Sequence, residues 1–249
     1  MYKPFLIVLI VILFLILINN VRQNFVSINE KLNKSNKSDN KSDSKSNEEF
    51  SNNYREEILS ENPKIIYLHN FLTPEEAEHF INIGDKLKVP STIDTKESPT
   101  SLSQNIRSSQ SAHVGKHRDE IVSRVEDKAI NYMKSDIDKL EPLQVVVYEK
   151  GQKYNPHYDF FTPDSPDVKK RGNRNKTILV YLNDVPEEAG GATFFPKINL
   201  RVQPKSFDAI YFENMNNNEL DYNTLHAGEP ILTDVKKFAI NIWLREKNF

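Results

Sequence analysis

The sequence predicts an all-β core with flanking helices, an α+β chain whose strands close into a double-stranded β-helix, or jelly roll, behind N-terminal supporting helices. Three observations lead there. Two amphipathic helical patterns come first, and seven or so short strand-like runs separated by turn residues follow from Leu143 onward. No internal repeat is evident, and helices followed by many short strands suggest a jelly-roll barrel buttressed on one side.

The elements follow in chain order. Residues 1–22 hold an uninterrupted apolar run, Phe5 to Ile18, and the stretch from Met1 to Val21 is long enough for a bilayer span of about 20 residues. No small-residue cleavage signal follows it, so the expectation is a retained signal-anchor. Residues 23–60 form a spacer rich in Asn, Lys, Ser and Asp, with too few large apolar side chains to offset the entropy of ordering it. Sequons occur at Asn33, Asn36 and Asn40, and again at Asn175.

The folded domain is expected over 61–249. Ile65 to Leu68 reads as a short strand. Thr73-Pro74-Glu75-Glu76 combines a capping threonine, a proline at the first helical position and a glutamate placed for a capping box. Ala77, Phe80, Ile81, Ile83 and Leu87 then give that helix its core stripe. A second helix is predicted from Asp119 to Lys134, with polar, loop-like sequence over 89–112 between the two. Strands are predicted near 143–148, 154–160, 176–183, 192–195, 207–212, 223–227 and 237–245. Gly190-Gly191 supplies positive-φ capacity to the turn before the fourth of these.

Composition narrows the function classes. The chain has 249 residues, 38% of them hydrophobic, which suits one sizeable domain with short appendages. Its 33 basic and 35 acidic residues leave a net charge of −2, so no global field favours nucleic acid. The absence of cysteine excludes disulfides, thiolate zinc sites and cysteine nucleophiles.

The candidate metal ligands are His157, Asp159 and His226. On an extended segment the side chains of His157 and Asp159, two residues apart, leave the same face. A third imidazole from a distant strand makes a two-histidine, one-carboxylate facial set, which leaves positions open on Fe(II) for cosubstrate and dioxygen. This composition points to a 2-oxoglutarate-dependent oxygenase. The remaining histidines, His69, His79, His113 and His117, read as structural or surface residues.

The stretch from Val145 to Glu246 resembles the catalytic domain of the prolyl 4-hydroxylase family. The runs that carry the likeness are YEKGQKYNPHYDFF, GNRNKTILVYLNDV, EEAGGATFFP and LHAGEPILTDVKKFAINIWLRE, with looser similarity upstream in NFLTPEEAEHFI and RSSQSAHV. The short single-pass membrane members, as in plants, algae and large DNA viruses, are the closer match. The resemblance implies hydroxylation of peptidyl proline at C4 with Fe(II) and 2-oxoglutarate, release of succinate and CO2, and ascorbate as the reductant that rescues oxidised iron.

The resemblance also implies site roles. A lysine ten residues beyond His226 selects Lys236 to hold the distal carboxylate of 2-oxoglutarate, and strand alternation then sends Lys237 to the opposite face. Tyr148 and Thr193 would donate hydroxyl hydrogen bonds to the same carboxylate, and Trp243 would wall the cosubstrate pocket. Arg174 would act near the peptide substrate, under a mobile loop formed by 160–173.

The implied partner is a proline-rich or collagen-like peptide, with membrane contact through the anchor. A disulfide-isomerase partner is not expected, because a polar spacer occupies the region before the domain. Hydroxylation of another residue such as lysine is the alternative within the same chemistry. A catalytically silent, membrane-tethered peptide-binding module and a cupin without 2-oxoglutarate stand outside it. Charge counting at the anchor mildly favours a cytosolic body, whereas the resemblance favours a lumenal domain on an endoplasmic-reticulum-type membrane.

Overall fold

The computed structural model describes residues 54–93 and 105–249. The expected anchor at 1–22 and most of the spacer lie outside these residues. Among the described residues no helix is long and apolar enough to cross a membrane. The first described strand lies almost wholly within the last residues of the expected spacer. Strand β1 (Arg55–Glu61) pairs antiparallel with β2 (Lys64–His69), and Ile58 against Ile66 belongs to that ladder. This strand is polar and largely exposed, so apolar patterning could not reveal it; main-chain pairing at a sheet edge holds it in place.

Helix α1 (Pro74–Leu87) begins as predicted. The Thr73 hydroxyl accepts from the Glu76 amide at 3.2 Å, and the Thr73 amide donates to the Glu76 carboxylate at 2.8 Å. Such a cap contributes about 1 kcal/mol. The helix buries Ala77, Phe80 and Ile83 against the sheet, and Gly84 lets it approach closely: a Cβ there would stand 2.7 Å from Val145 Cγ1. The short strand β3 (Val89–Pro90), in the stretch expected as a loop, pairs with β4 (Gln110–Val114), which lies in the RSSQSAHV run. Helix α2 (Glu120–Met133) is capped by Asp119, whose carboxylate accepts from the Val122 amide at 3.0 Å.

The remaining elements are β5 (Leu143–Tyr148), β6 (Tyr154–His157), α3 (Pro166–Arg171), β7 (Arg174–Tyr181), β8 (Thr193–Phe195), β9 (Leu200–Val202), β10 (Ala209–Glu213), the small hairpin β11 (Met215–Asn216) and β12 (Glu219–Leu220), β13 (His226–Gly228) and β14 (Lys237–Arg245). The segment expected as a loop over 160–173 therefore contains a short helix, which opens on Pro166.

Apart from the β11–β12 hairpin, the described strands form two antiparallel sheets. The major one has the order β1-β2-β10-β7-β14-β5-β4-β3, and the minor one β6-β13-β8-β9. Non-sequential neighbours such as β7 between β10 and β14 define the crossovers of a double-stranded β-helix. One face of the major sheet carries Val145, Val147, Ile178, Val180, Ile240 and Ile242 into a core shared with α1 and α2. The other face carries Val146, Leu179, Tyr181, Ile210 and Ala239 toward Phe195 and Val202 of the minor sheet. A sheet buried on both faces reads as a continuous apolar run rather than as alternation, and β5, LQVVVY, is buried at every residue.

Candidate active site

The minor sheet and the inner face of the major sheet enclose a cavity of about 900 Å³. His157 ends β6 and His226 opens β13, and the two are paired residues of one antiparallel ladder. Their rings lie 4.3 Å apart. Asp159, just beyond β6, is buried, and its Oδ1 stands 3.9 Å from His157 Nε2 and 3.8 Å from His226 Nε2. The three ligand-type atoms all lie within 4.8 Å of one another.

The hydrogen bonds around them define their chemistry. His157 Nδ1 faces the Asn155 carbonyl oxygen at 2.9 Å, and His226 Nδ1 faces that of Thr224 at 2.9 Å. A carbonyl can only accept, so each Nδ1 carries a proton and each Nε2 is the nitrogen turned toward Asp159. Burial, reinforced by the neighbouring His226, holds the His157 imidazole well below its ordinary pKa and therefore neutral. For Asp159 burial favours the neutral acid, but His226, His157, Arg174 and the Thr177 hydroxyl outweigh it and hold the carboxyl below its ordinary value. Two imidazoles and one carboxylate, with no thiolate, suit Fe(II).

The lysine of the cavity is Lys237 and not Lys236. Lys237 is 3% exposed, lines the cavity, and donates to the Gly191 carbonyl oxygen at 2.7 Å. Lys236 precedes β14 on the outside, where its ammonium lies 3.2 Å from the Glu149 carboxylate and 3.6 Å from Asp85. The expectation placed the strand register one residue off. The physical reason is the parity of β14: Phe238, Ile240, Ile242 and Leu244 join the core toward the helices, so Lys237, Ala239, Asn241, Trp243 and Arg245 face the cavity.

Lys237 has the character of an anion site. Desolvation lowers its pKa to about 7, with only partial compensation from Glu229. Its ammonium lies 5.4 Å from the Tyr148 ring and 5.6 Å from that of Tyr181. Thr193 is buried beside it in the cavity wall and accepts from the Tyr181 hydroxyl at 2.9 Å. Tyr148 and Thr193 both line the cavity near Lys237, and the buried Tyr181 behind them was not singled out in the sequence. Gly190 and Gly191 have φ of 70° and 72°, and a Cβ on Gly190 would stand 2.4 Å from the Pro230 carbonyl oxygen. This turn aims the Gly191 carbonyl at Lys237.

Arg174 and Trp243 form the other side of the cavity. The Arg174 guanidinium stacks on the Trp243 ring at 3.6 Å and is held by two 2.7 Å bonds to Glu141. Glu141 also meets Arg245 at 2.7 Å, so one buried carboxylate orders two arginines. Arg245 bonds Asp167 of α3 as well, which ties the short helix to the cavity rim.

Sequence reasoning did not single out Arg107 and Tyr154. Arg107, 6% exposed, bonds Ser109, Ser111 and Gln144 and lies 4.7 Å from the Tyr154 ring. His113, expected to be structural, also lines the cavity. The sequon at Asn175 falls inside β7, and its Thr177 is buried.

The fold and this donor set define a 2-oxoglutarate- and Fe(II)-dependent dioxygenase. The family model of the 2OG-Fe(II) oxygenase superfamily matches residues 143–245. A probable prolyl 4-hydroxylase 3 of Arabidopsis thaliana is 35% identical over 208 residues, covering 76% of this chain and 71% of the plant protein. The prolyl 4-hydroxylase subunit alpha-1 of Rattus norvegicus is 34% identical over 191 residues, covering 75% of this chain but 35% of the rat protein. The viral collagen prolyl hydroxylase of Paramecium Bursaria Chlorella virus-1, solved with 2-oxoglutarate, superposes with a TM-score of 0.56 at 26% identity, covering 72% of this chain and 94% of the viral one. The chain belongs to the prolyl 4-hydroxylase family.

Proposed function

We propose that the protein hydroxylates peptidyl proline at C4, consuming 2-oxoglutarate and dioxygen and releasing succinate and CO2. The observation that carries this reading is the placement of the three ligand side chains and the buried Lys237 in one cavity. A metal-binding module without a 2-oxo acid gives no reason for an ammonium to be desolvated there. The choice of proline rests on the similarity to named prolyl 4-hydroxylases.

Each side chain has a task. His157, Asp159 and His226 would hold Fe(II) through Nε2, Oδ1 and Nε2. Lys237 would bind the distal carboxylate of 2-oxoglutarate, with Tyr148 and Thr193 in hydrogen-bonding roles at the same end. Bound Fe(II) with 2-oxoglutarate supplies the oxidising power, through oxidative decarboxylation, to place one oxygen atom of O2 on an unactivated carbon. Arg174 and Trp243 would fix the peptide side of the cavity, and Phe160 and Phe161 would help exclude water there. Ascorbate would restore ferrous iron after turnovers without peptide.

Mass spectrometry of proline-rich peptides incubated with the protein, Fe(II) and 2-oxoglutarate tests this reading. One added oxygen on proline, with an equivalent of succinate, is expected. Succinate formation accompanied by oxygen on lysine instead would favour the alternative substrate.

The apolar run Phe5 to Ile18 supports a further part of the proposal, a single-pass tether with the domain on the lumenal side of an endoplasmic-reticulum-type membrane. Peptide hydroxylation suits that compartment, where unfolded proline-rich or collagen-like clients are available. Expression in a eukaryotic cell should give a glycosidase-sensitive mass shift from Asn33, Asn36 or Asn40. Digestion of the domain by protease added to sealed vesicles, with no such shift, would place it in the cytosol.

A further inference from the structure

Behind Asp159 lies a chain of two buried polar groups. Thr177, 1% exposed on β7, donates its hydroxyl proton to Asp159 Oδ2 at 2.8 Å. Asn214, 0% exposed and immediately after β10, places Nδ2 2.9 Å from the Thr177 hydroxyl oxygen. The direction of both bonds is fixed by chemistry. An ionised carboxylate can only accept, so the single hydroxyl proton of Thr177 goes to Asp159. The group facing Thr177 from Asn214 must then be its amide N–H, because a carbonyl there would confront a lone pair.

The backbone holds this chain in place. Asn214 N donates to the Asn175 carbonyl oxygen at 2.8 Å, and Asp221 N donates to the Asn214 carbonyl oxygen at 2.9 Å. Thr177 is paired with Phe212 on one side and Trp243 on the other. The Thr177 hydroxyl engages one oxygen position of the Asp159 carboxylate and leaves the other, so the two positions are not equivalent. Oδ2 is engaged, and Oδ1 faces both histidine Nε2 atoms at 3.8 and 3.9 Å.

We propose that Asn214 and Thr177 are positioning residues that select Oδ1 of Asp159 as the single carboxylate oxygen offered to iron. This rests on the assignment of His157, Asp159 and His226 as the metal ligands. Loss of an outer hydrogen bond to a ligand typically weakens metal binding about 10- to 100-fold.

The test is Mn(II) binding to the full-length protein, read from the electron paramagnetic resonance signal of the free ion without any turnover. Thr177→Val keeps the β-branched shape and removes the hydroxyl, whereas Thr177→Ser keeps the hydroxyl and removes the methyl. The inference requires Kd to rise about 10- to 100-fold in Thr177→Val, to stay close to wild type in Thr177→Ser, and to rise in Asn214→Leu. A residue needed only for the strand would give the opposite order, because valine suits a buried strand better than serine. Wild-type affinity in Thr177→Val, or equal damage in both Thr177 variants, overturns the inference while the ligand assignment stands. A wild-type protein that takes up no Mn(II) overturns the ligand assignment and this inference together.

Discussion

The ammonium of Lys237 donates to the carbonyl oxygen of Gly191, 2.7 Å away. A neutral dipole is a poor substitute for a counter-charge in a desolvated site, and the depressed pKa of about 7 records the deficit. An arriving carboxylate would supply what is missing. The site is therefore built to hold an anion, and it is poised to take up a proton as it does so.

Lys237→Ala should raise the KM for 2-oxoglutarate sharply, on the order of 100-fold for a lost buried charge partner of about 3 kcal/mol. Lys236→Ala should change it by less than about twofold, since exposed ion pairs of this kind contribute little. Steady-state kinetics with varied 2-oxoglutarate at saturating iron decide between them. A larger effect at Lys236 would mean that the cavity assignment of Lys237 is wrong.

The pH dependence follows from the same residue. In the ligand-free protein Lys237 loses its proton as pH rises through about 7, whereas a bound carboxylate favours the ammonium. Binding above pH 7 should therefore take up a proton, and 2-oxoglutarate affinity should fall by up to about tenfold per pH unit above that value. Calorimetry in buffers of different ionisation enthalpy measures the uptake directly. The ligand-free domain should behave in the complementary way. Between about 7 and the ordinary lysine value of 10.5 the unfolded chain holds more protons at this residue, so Lys237's contribution to stability improves as pH rises through that window.

His157→Ala, Asp159→Ala and His226→Ala should each abolish succinate formation and Fe(II) uptake, with thermal melting of the metal-free domain retained. The three side chains line a cavity, and the packed cores on either side of the sheet do not include them. Near-normal turnover in any one variant would remove that residue from the ligand set.

Glu141→Gln tests the buried carboxylate that orders Arg174 and Arg245. Removing one partner of a buried ionic cluster leaves uncompensated charge, and a destabilisation of about 3 kcal/mol is expected. Peptide KM should also rise, because Arg174 loses its two-bond clamp beside Trp243. Denaturant unfolding together with peptide kinetics reads both effects. An unchanged unfolding midpoint would show that the arginines are adequately held by their other contacts.

The sequence alone determined the two helices, most of the core strands and the convergence of His157, Asp159 and His226. Each rests on a local rule: a capping box at Thr73, a period of two or 3.6, or a His-x-Asp spacing on extended chain. It did not reveal β1, whose residues are polar and whose order comes from pairing with β2. It misassigned the cavity lysine because a count from His226 runs through the irregular segment before β14, where spacing does not fix direction. The alternation Phe238, Ile240, Ile242, Leu244 was a local signal that would have corrected it, and the placement of Trp243 in the cavity already demanded the same parity. Tertiary structure alone decided the Asn214–Thr177–Asp159 chain and the sharing of Glu141 by two arginines. These groups come from strands distant in sequence, and their meeting is set by which strands neighbour which in the sheet. Non-local pairing of that kind leaves no periodic trace in the residues that take part.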